Sequence, residues 1–287
     1  MSSGWMRFWL LFMMLMPILI LLGLIIRSLP ICETSSLWSI ITGNIWKPAK
    51  DLFGFKPFIL SSVYVTLLAL LLAVPVCIFS ALHICFYARR YMRQIIQPVI
   101  DILAGIPSVV YGVWGILAVI PFVSRLAEWL FKINTNGYNI LSGGIVLAVM
   151  IIPFMLNILI DLFHSLPTEL QEASLSLGAG KWYTVKRVMV KKAMPGIIST
   201  VGLGLSRAFG ETMAVLMVVG NVAAIPNGIF DAGYPLPALI ANNYGEMMSI
   251  PKYDAALMFA ALLLLVIVVL FNLGSRILIL RYAKNSH

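Results

Sequence analysis

The chain has 287 residues, of which 61% are hydrophobic and only 11% charged, with a mean hydropathy of +0.99. So few charges cannot surface a soluble domain of this size, so the composition indicates a multi-pass membrane protein. The formal net charge of +9 is distributed over short segments between apolar runs, which fits membrane topology and excludes a nucleic-acid patch.

Arg7 precedes an apolar run at residues 8–26, long enough to span a bilayer. Arg27-Ser28-Leu29-Pro30 offers no small-residue cleavage site, so a retained first span is expected rather than a signal peptide. Residues 27–57 are polar, and Trp38, Trp46 and Phe53-Gly54-Phe55 suit either a headgroup region or a partner's surface. A second span is predicted at 58–87, interrupted by Pro75 and closed by Arg89, Arg90 and Arg93. Within it Cys77 and Cys85 read as small buried hydrophobes. The third run, 95–123, holds Pro98, Asp101, Gly105-Ile106-Pro107-Ser108 and Tyr111-Gly112-Val113-Trp114-Gly115. Pro and Gly at this density predict a bent or broken helix, with Gly105 and Pro107 as hinge candidates and the freed backbone groups turned to protein or water. A packing device is the alternative reading. A polar segment at 124–139 leads to a fourth span at 140–163, which carries Gly143-Gly144, Pro153 and Asp161.

Residues 164–197 interrupt the apolar pattern with charge and turn residues. Thr168 followed by Gln171 is a capping-box pattern, which predicts a helix from about 169 to 177, stopped by Gly178-Ala179-Gly180. A second helix, about 181–193, carries Lys181, Lys186, Arg187, Lys191 and Lys192 and is expected to end at Pro195-Gly196. Gly178-Ala179-Gly180-Lys181 imitates the end of a phosphate-binding loop. Leu175 and Trp182 stand where that loop needs Gly and Ser/Thr, so no ATP is expected there.

The fifth span is predicted at 197–222 and contains Arg207 and Glu211. Four residues apart, they are expected on one helical face. A charge at mid-membrane costs about 2.5–3.5 kcal/mol on insertion scales, so such a pair faces a bundle interior or a watery path. Arg207 offers an anion a fixed charge with planar donors, and Glu211 would hold it; a structural ion pair fits the same residues. Gly202, Ser206 and Gly210 form a small-xxx-small face for close helix contact. A polar stretch at 221–252 precedes the sixth span, 253–280, and Arg281, Tyr282 and Lys284 close the chain.

With the N-terminus inside, the inner loops hold Arg7, Arg89, Arg90, Arg93, the five basic residues of 181–192, Arg276, Arg281 and Lys284. The outer loops hold Arg27, Lys47, Lys50, Lys56, Arg125, Lys132 and Lys252. This asymmetry predicts six spans with both termini cytoplasmic. The chain then divides into a first span with its external segment (1–57), a core of five spans (58–280) with an elbow at 164–196, and a tail (281–287). His83, His164, His287 and the three cysteines form no metal or catalytic set, so neither a metal nor an enzyme activity is expected.

Glu172-Ala173-Ser174, Gly178 and Ala193-Met194-Pro195-Gly196-Ile197 resemble the EAA loop of ABC-importer permeases. Ser174 stands where that family usually has Ala, and Val190-Lys191 where Leu-Pro is common, so the second helix is allowed to run further than usual. Ala104–Gly115 resembles a string of bacterial phosphate-importer permeases. Ser206–Val215 resembles the Arg-Ala-x-Gly-Glu-Thr-Met-Ala-Val segment of PstC-type permeases, and Leu239–Glu246 a later one. The resemblance implies an all-α, polytopic, six-span permease subunit of an ATP-driven phosphate importer in the inner membrane. It implies Arg207 and Glu211 on the substrate path, and Glu172, Ala173, Ser174 and Gly178 coupling to the ATPase. Gly105, Pro107, Gly202 and Gly210 are structural or hinge candidates. The implied partners are a PstA-like permease, two copies of an ATPase that hold ATP and Mg, an external phosphate-binding protein and the bilayer, with no cofactor on this chain. The rivals are a permease for sulfate or molybdate and a secondary transporter without an ATPase.

Overall fold

The structure, a computed structural model, describes residues 2–32, 36–245 and 251–284. Six helices are long and apolar enough to cross a membrane: Gly4–Ile31, Lys56–Tyr87, Ser108–Phe131, Ile140–His164, Lys181–Phe209 and Lys252–Arg281, here spans one to six. Apart from one hairpin, β1 (Trp46–Lys47) and β2 (Leu52–Phe53), the regular structure of the described residues is helical. The all-α, six-span expectation therefore holds.

Spans two and four lie side by side because span two presents Ala69, Ala73, Cys77 and Ala81, four residues apart and fully buried. Small residues at that spacing let two backbones approach, which gives dispersion contact where lipid gives no hydrophobic drive. Gly144 adds to the fit from span four, where a Cβ would meet Leu68 at 2.2 Å. Cys77 and Cys85 are both buried, as their apolar setting predicts. Span five closes the bundle against spans two, four and six, and span one lies along span six. Among the described residues of span one only Ser28 and Ile31 are buried. Outward side chains such as Leu71 and Leu117, 70% and 74% exposed, form the apolar belt that suits lipid.

A second core sits at the hairpin end. Trp46 meets Phe53, Phe55, Phe58 and Tyr253 edge-on, with ring centroids 5.0–6.0 Å apart. These contacts bind the hairpin to spans two and six, and ion pairs flank them at Lys252–Asp51 (2.5 Å) and Arg27–Asp254 (3.6 Å). Most of the aromatic content of 36–57 thus packs within the chain, whereas Trp38 stays 74% exposed.

The segment after span five has a structural task that its composition does not announce. It folds over the start of span four and satisfies two of the free N–H groups there, and the Asn139 cap serves the next. Ile140 donates to the Asp231 carbonyl (3.0 Å), Leu141 to Ile229 (2.9 Å) and Gly143 to Asn139 (3.1 Å). Ser142 donates to the Asn139 side chain at 2.9 Å. Ile140, Leu141 and Ser142, whose N–H groups have no partner within the helix, are thus satisfied from outside it, and Gly143 makes the first intrahelical bond, to the cap carbonyl.

Several boundaries differ from expectation. Pro75 does not interrupt span two, and Pro195 does not end the basic helix, which continues from Lys181 to Phe209 through a π-helical stretch at Val185–Met189. Each proline removes one backbone bond, but the rest of the turn must still be satisfied internally in an apolar medium, so the helix continues. The third run is divided. A helix at Arg90–Gly105 ends before Pro107, and span three starts at Ser108 and continues into the expected polar segment as far as Phe131. Val123 and Ala127 are buried and prolong its packed face past Ser124 and Arg125, until Lys132 adopts φ 55° and stops it. Finally, Thr168 is the first helical residue rather than the cap; the cap position is Pro167, whose side chain has no oxygen to offer, so the capping box does not form.

Candidate functional site

Two features of the bundle could carry function, an elbow at one end and a polar face inside it. The elbow is the helix Thr168–Ser176, a turn, and the start of span five. Gly178 takes φ +81°, a conformation that side chains resist, and its N–H closes on the Leu175 carbonyl at 2.9 Å. The chain reverses there as its glycines predict. Glu172 and Ala173 are exposed, Ser174 is half-buried, and Leu177 is 89% exposed at the tip. The Ser174 hydroxyl lies 2.9 Å from that of buried Thr184 and joins the two arms. Lys181, Lys186, Arg187, Lys191 and Lys192 all face outward, opposite buried Val185, Met189 and Ala193. The Lys181 ammonium sits 4.8 Å from the Tyr87 ring centre, which ties the elbow to the end of span two.

The polar face begins where two helices break. At the first break Ile106 and Pro107 separate Arg90–Gly105 from span three. The carbonyl of Leu103 receives the Ile106 N–H (3.3 Å) and the Tyr111 hydroxyl (2.8 Å), so the interruption is satisfied by protein, as predicted. Gly105 has open space around it, which suits a hinge position more than a packing one.

At the second break span five stops at Phe209, and Gly210 to Thr212 lead into a short helix, Met213–Leu216. This helix packs against the first turns of span three, and a Cβ on Gly112 would meet the Met217 sulfur at 2.5 Å. The two breaks are therefore neighbours.

The second break separates the charged pair. Arg207 and Glu211 do not share a helical face, because the helix ends between them, and among the described residues neither enters an ion pair. The Glu211 carboxylate instead accepts the backbone N–H of Ala214 at 3.2 Å and caps the short helix. A new helix start in apolar surroundings needs acceptors for its free N–H groups, and the carboxylate is the nearest one. Arg207 is exposed, with its guanidinium carbon 4.5 Å from the centre of the Phe154 ring on span four. The site thus has an exposed guanidinium with free donors between two broken helices, where a salt bridge was expected.

The small face behind Arg207 packs on span six, in part as predicted. A Cβ on Gly202 would come within 2.5 Å of Ser275 Oγ, and the Ser206 hydroxyl bonds Asn272 Oδ1 at 2.8 Å. Gly210 meets no other span, a Cβ there facing only the Ser206 and Arg207 carbonyls of the preceding turn, and it ends the helix. A polar chain without a local sequence signature lies one turn along span four from Phe154. Gln97 Nε2 donates to Asn157 Oδ1 (3.1 Å), and Asn157 Nδ2 donates to Asp101 Oδ1 (2.9 Å). No local pattern could show it, because Asn157 lies more than fifty positions from both of its partners. Of the segment 239–246, Glu246 lies outside the described residues.

Comparison with known proteins agrees with this architecture. The family described as binding-protein-dependent transport system inner membrane component matches residues 73–284. A probable ABC transporter permease, YqgH of Bacillus subtilis (strain 168), is 38% identical over 85% of this chain and 77% of its own. The phosphate transport system permease protein PstC of Pasteurella multocida (strain Pm70) is 31% identical over 98% and 91%. PstC of Haemophilus influenzae is 32% identical over 94% and 90%. Among solved structures, the inward-facing MetNI methionine ABC transporter superposes with a TM-score of 0.61 at 18% identity, over 83% of this chain and 99% of the other. A bacterial alginate ABC transporter superposes with 0.60 at 17%, over 97% and 98%. At such identities these two speak for the fold alone.

Proposed function

The chain belongs to the family of binding-protein-dependent transport system inner membrane components and is an ABC importer permease subunit, and we propose that its cargo is inorganic phosphate. The observation that carries the proposal is Arg207, a charge held at membrane depth without a carboxylate partner among the described residues, its donors free for an anion. The PstC relatives, aligned over nearly the whole chain, support that cargo.

In this reading the elbow docks on a separate ATPase, present in two copies, which holds ATP and Mg; this chain binds no cofactor and breaks no bond. The elbow and both termini face the cytoplasm of the inner membrane, as the basic residues argue. A PstA-like permease completes the pathway, and an external phosphate-binding protein delivers the anion to the hairpin end. Span five links motor to cargo. Lys181 to Arg207 is one helix, about 40 Å at 1.5 Å per residue, so a displacement of the elbow moves Arg207. Alternating access then follows from rocking this helix against spans two and four, with compliance at the two breaks.

The test is phosphate uptake by the assembled importer with Arg207→Gln. Loss of uptake with intact assembly supports the reading; normal uptake returns Arg207 to a packing role on Phe154. A second reading is another oxyanion such as sulfate or molybdate, because the open guanidinium of Arg207 offers charge and planar donors that any tetrahedral oxyanion accepts. Competition between the anions for uptake decides between them. A secondary transporter would keep taking up its cargo when ATP hydrolysis is blocked.

A further inference from the structure

Beyond Arg207 the same face of span four carries a second polar group. Phe154, beneath the guanidinium, is followed by Asn157, about 4.5 Å further along the axis at 1.5 Å per residue. The Asn157 amide is fixed at both ends, its oxygen by Gln97 and its nitrogen by Asp101. Gln97 and Asp101 are four residues apart on Arg90–Gly105, so one amide pins one face of that helix. Its orientation is determined, because only the NH2 group can donate to a carboxylate.

Asp101 uses one oxygen for that bond. Its side chain is exposed, and among the described residues no cation pairs with it. It lies level with Asn157, about 10 Å before the end of span four at His164, on a helix that also exposes Val99 and Ile102. A bare carboxylate at that depth is costly unless it faces water or a ligand, and residues of this kind mark transport paths.

We propose that Asp101, preset by Asn157, is a second residue of the anion's path, which accepts the hydroxyl hydrogen of a protonated oxyanion after Arg207 has taken its charge. The proposal rests on the phosphate reading. Hydrogen phosphate offers an O–H, and a charge-assisted O–H···O⁻ bond is short and strong. A fully ionised oxyanion such as sulfate offers none and meets repulsion instead. The alternative role, holding Asn157 for packing alone, is served equally by Asn at 101, whose side-chain oxygen accepts the same bond. The open position would then be an NH2 donor in place of an acceptor, so Asp101→Asn separates the two roles.

The experiment uses the whole importer, all subunits together, in cells without other phosphate uptake, and measures initial rates and co-purification of the subunits. Asp101→Asn should assemble normally, keep KM, and lower the maximal rate of phosphate uptake by at least about tenfold. Asp101→Glu, which keeps the acceptor, should recover part of it. Asp101→Asn at the wild-type rate would reduce Asp101 to packing, loss of assembly would assign it to a subunit interface, and Asp101→Glu no faster than Asp101→Asn would remove the acceptor role; each overturns the proposal. Uptake of sulfate but not phosphate by the wild type would overturn the phosphate reading, and this inference with it.

Discussion

Whether Arg207 and Glu211 act as a pair can be measured by a double-mutant cycle of Arg207→Gln and Glu211→Gln, with thermal unfolding of the purified importer as the readout. In the structure the Glu211 carboxylate bonds the Ala214 backbone N–H, and Gln keeps an acceptor oxygen at the same place. Exchanging a charged for a neutral acceptor should cost about 1 kcal/mol. Arg207→Gln loses its contact with the Phe154 ring, about 0.5–1 kcal/mol. The groups share no bond, so the double variant should equal the two singles together, with a coupling under about 0.5 kcal/mol. A desolvated salt bridge behaves differently: removing one partner strands the other and costs about 3–5 kcal/mol, and removing both recovers much of that. A double variant more stable than either single by over about 1 kcal/mol would refute the broken-helix account. The functional arm runs in parallel. Glu211→Gln should retain most phosphate uptake because the cap survives, whereas Arg207→Gln should abolish it.

Gly178→Leu places a branched side chain at φ +81° with open space around it, so only backbone strain opposes it, about 1–2 kcal/mol; the importer should assemble but lose cargo-stimulated ATP hydrolysis, and undiminished stimulation would deny the elbow its role. Glu172→Lys reverses an exposed charge on the elbow helix and should lower the amount of ATPase that co-purifies; unchanged stoichiometry would move the docking surface elsewhere. Gly202→Ala forces a methyl group onto Ser275 and should destabilise by about 1–3 kcal/mol; Ser275→Gly in the same chain should restore the loss, and a failure of rescue would mean that the contact between spans five and six is not what the glycine serves.

The parts of this fold that were legible in sequence are those written in local periodicity. Apolar length marked the six spans, Gly178 marked the reversal of the elbow, and Gly105 with Pro107 marked the first break. The prolines at 75 and 195 misled because the rule that proline ends a helix belongs to water, where a freed carbonyl finds a new partner. The Arg207–Glu211 pairing failed for a related reason. Four-residue spacing implies a shared face only within an unbroken helix, and Gly210, a hinge candidate as well as a member of the small-residue face, ends the helix. Asn157 with Gln97 and Asp101, and residues 229–231 over the start of span four, are bonds between distant segments, which no window along the chain can hold.

The continuity at Pro195 bears on how a stroke could reach the cargo. Had the basic helix ended there, a hinge would stand between the elbow and Arg207, and rotation of the elbow would be absorbed before the polar face. Span five instead widens into a π-helical stretch at Val185–Met189 without ending, and it breaks only at Gly210–Thr212, beyond Arg207 from the elbow; the other break is at Ile106–Pro107, on the neighbouring helix. Both are held by side-chain bonds, Tyr111 on the Leu103 carbonyl and Glu211 on the Ala214 amide, that a small rotation could exchange. A stiff helix delivers displacement, and interrupted helices yield to it at the place where an anion would lie. The arrangement gives Glu211 a role that does not depend on pairing with Arg207: by capping the helix beyond the break, it fixes where the stiff segment ends.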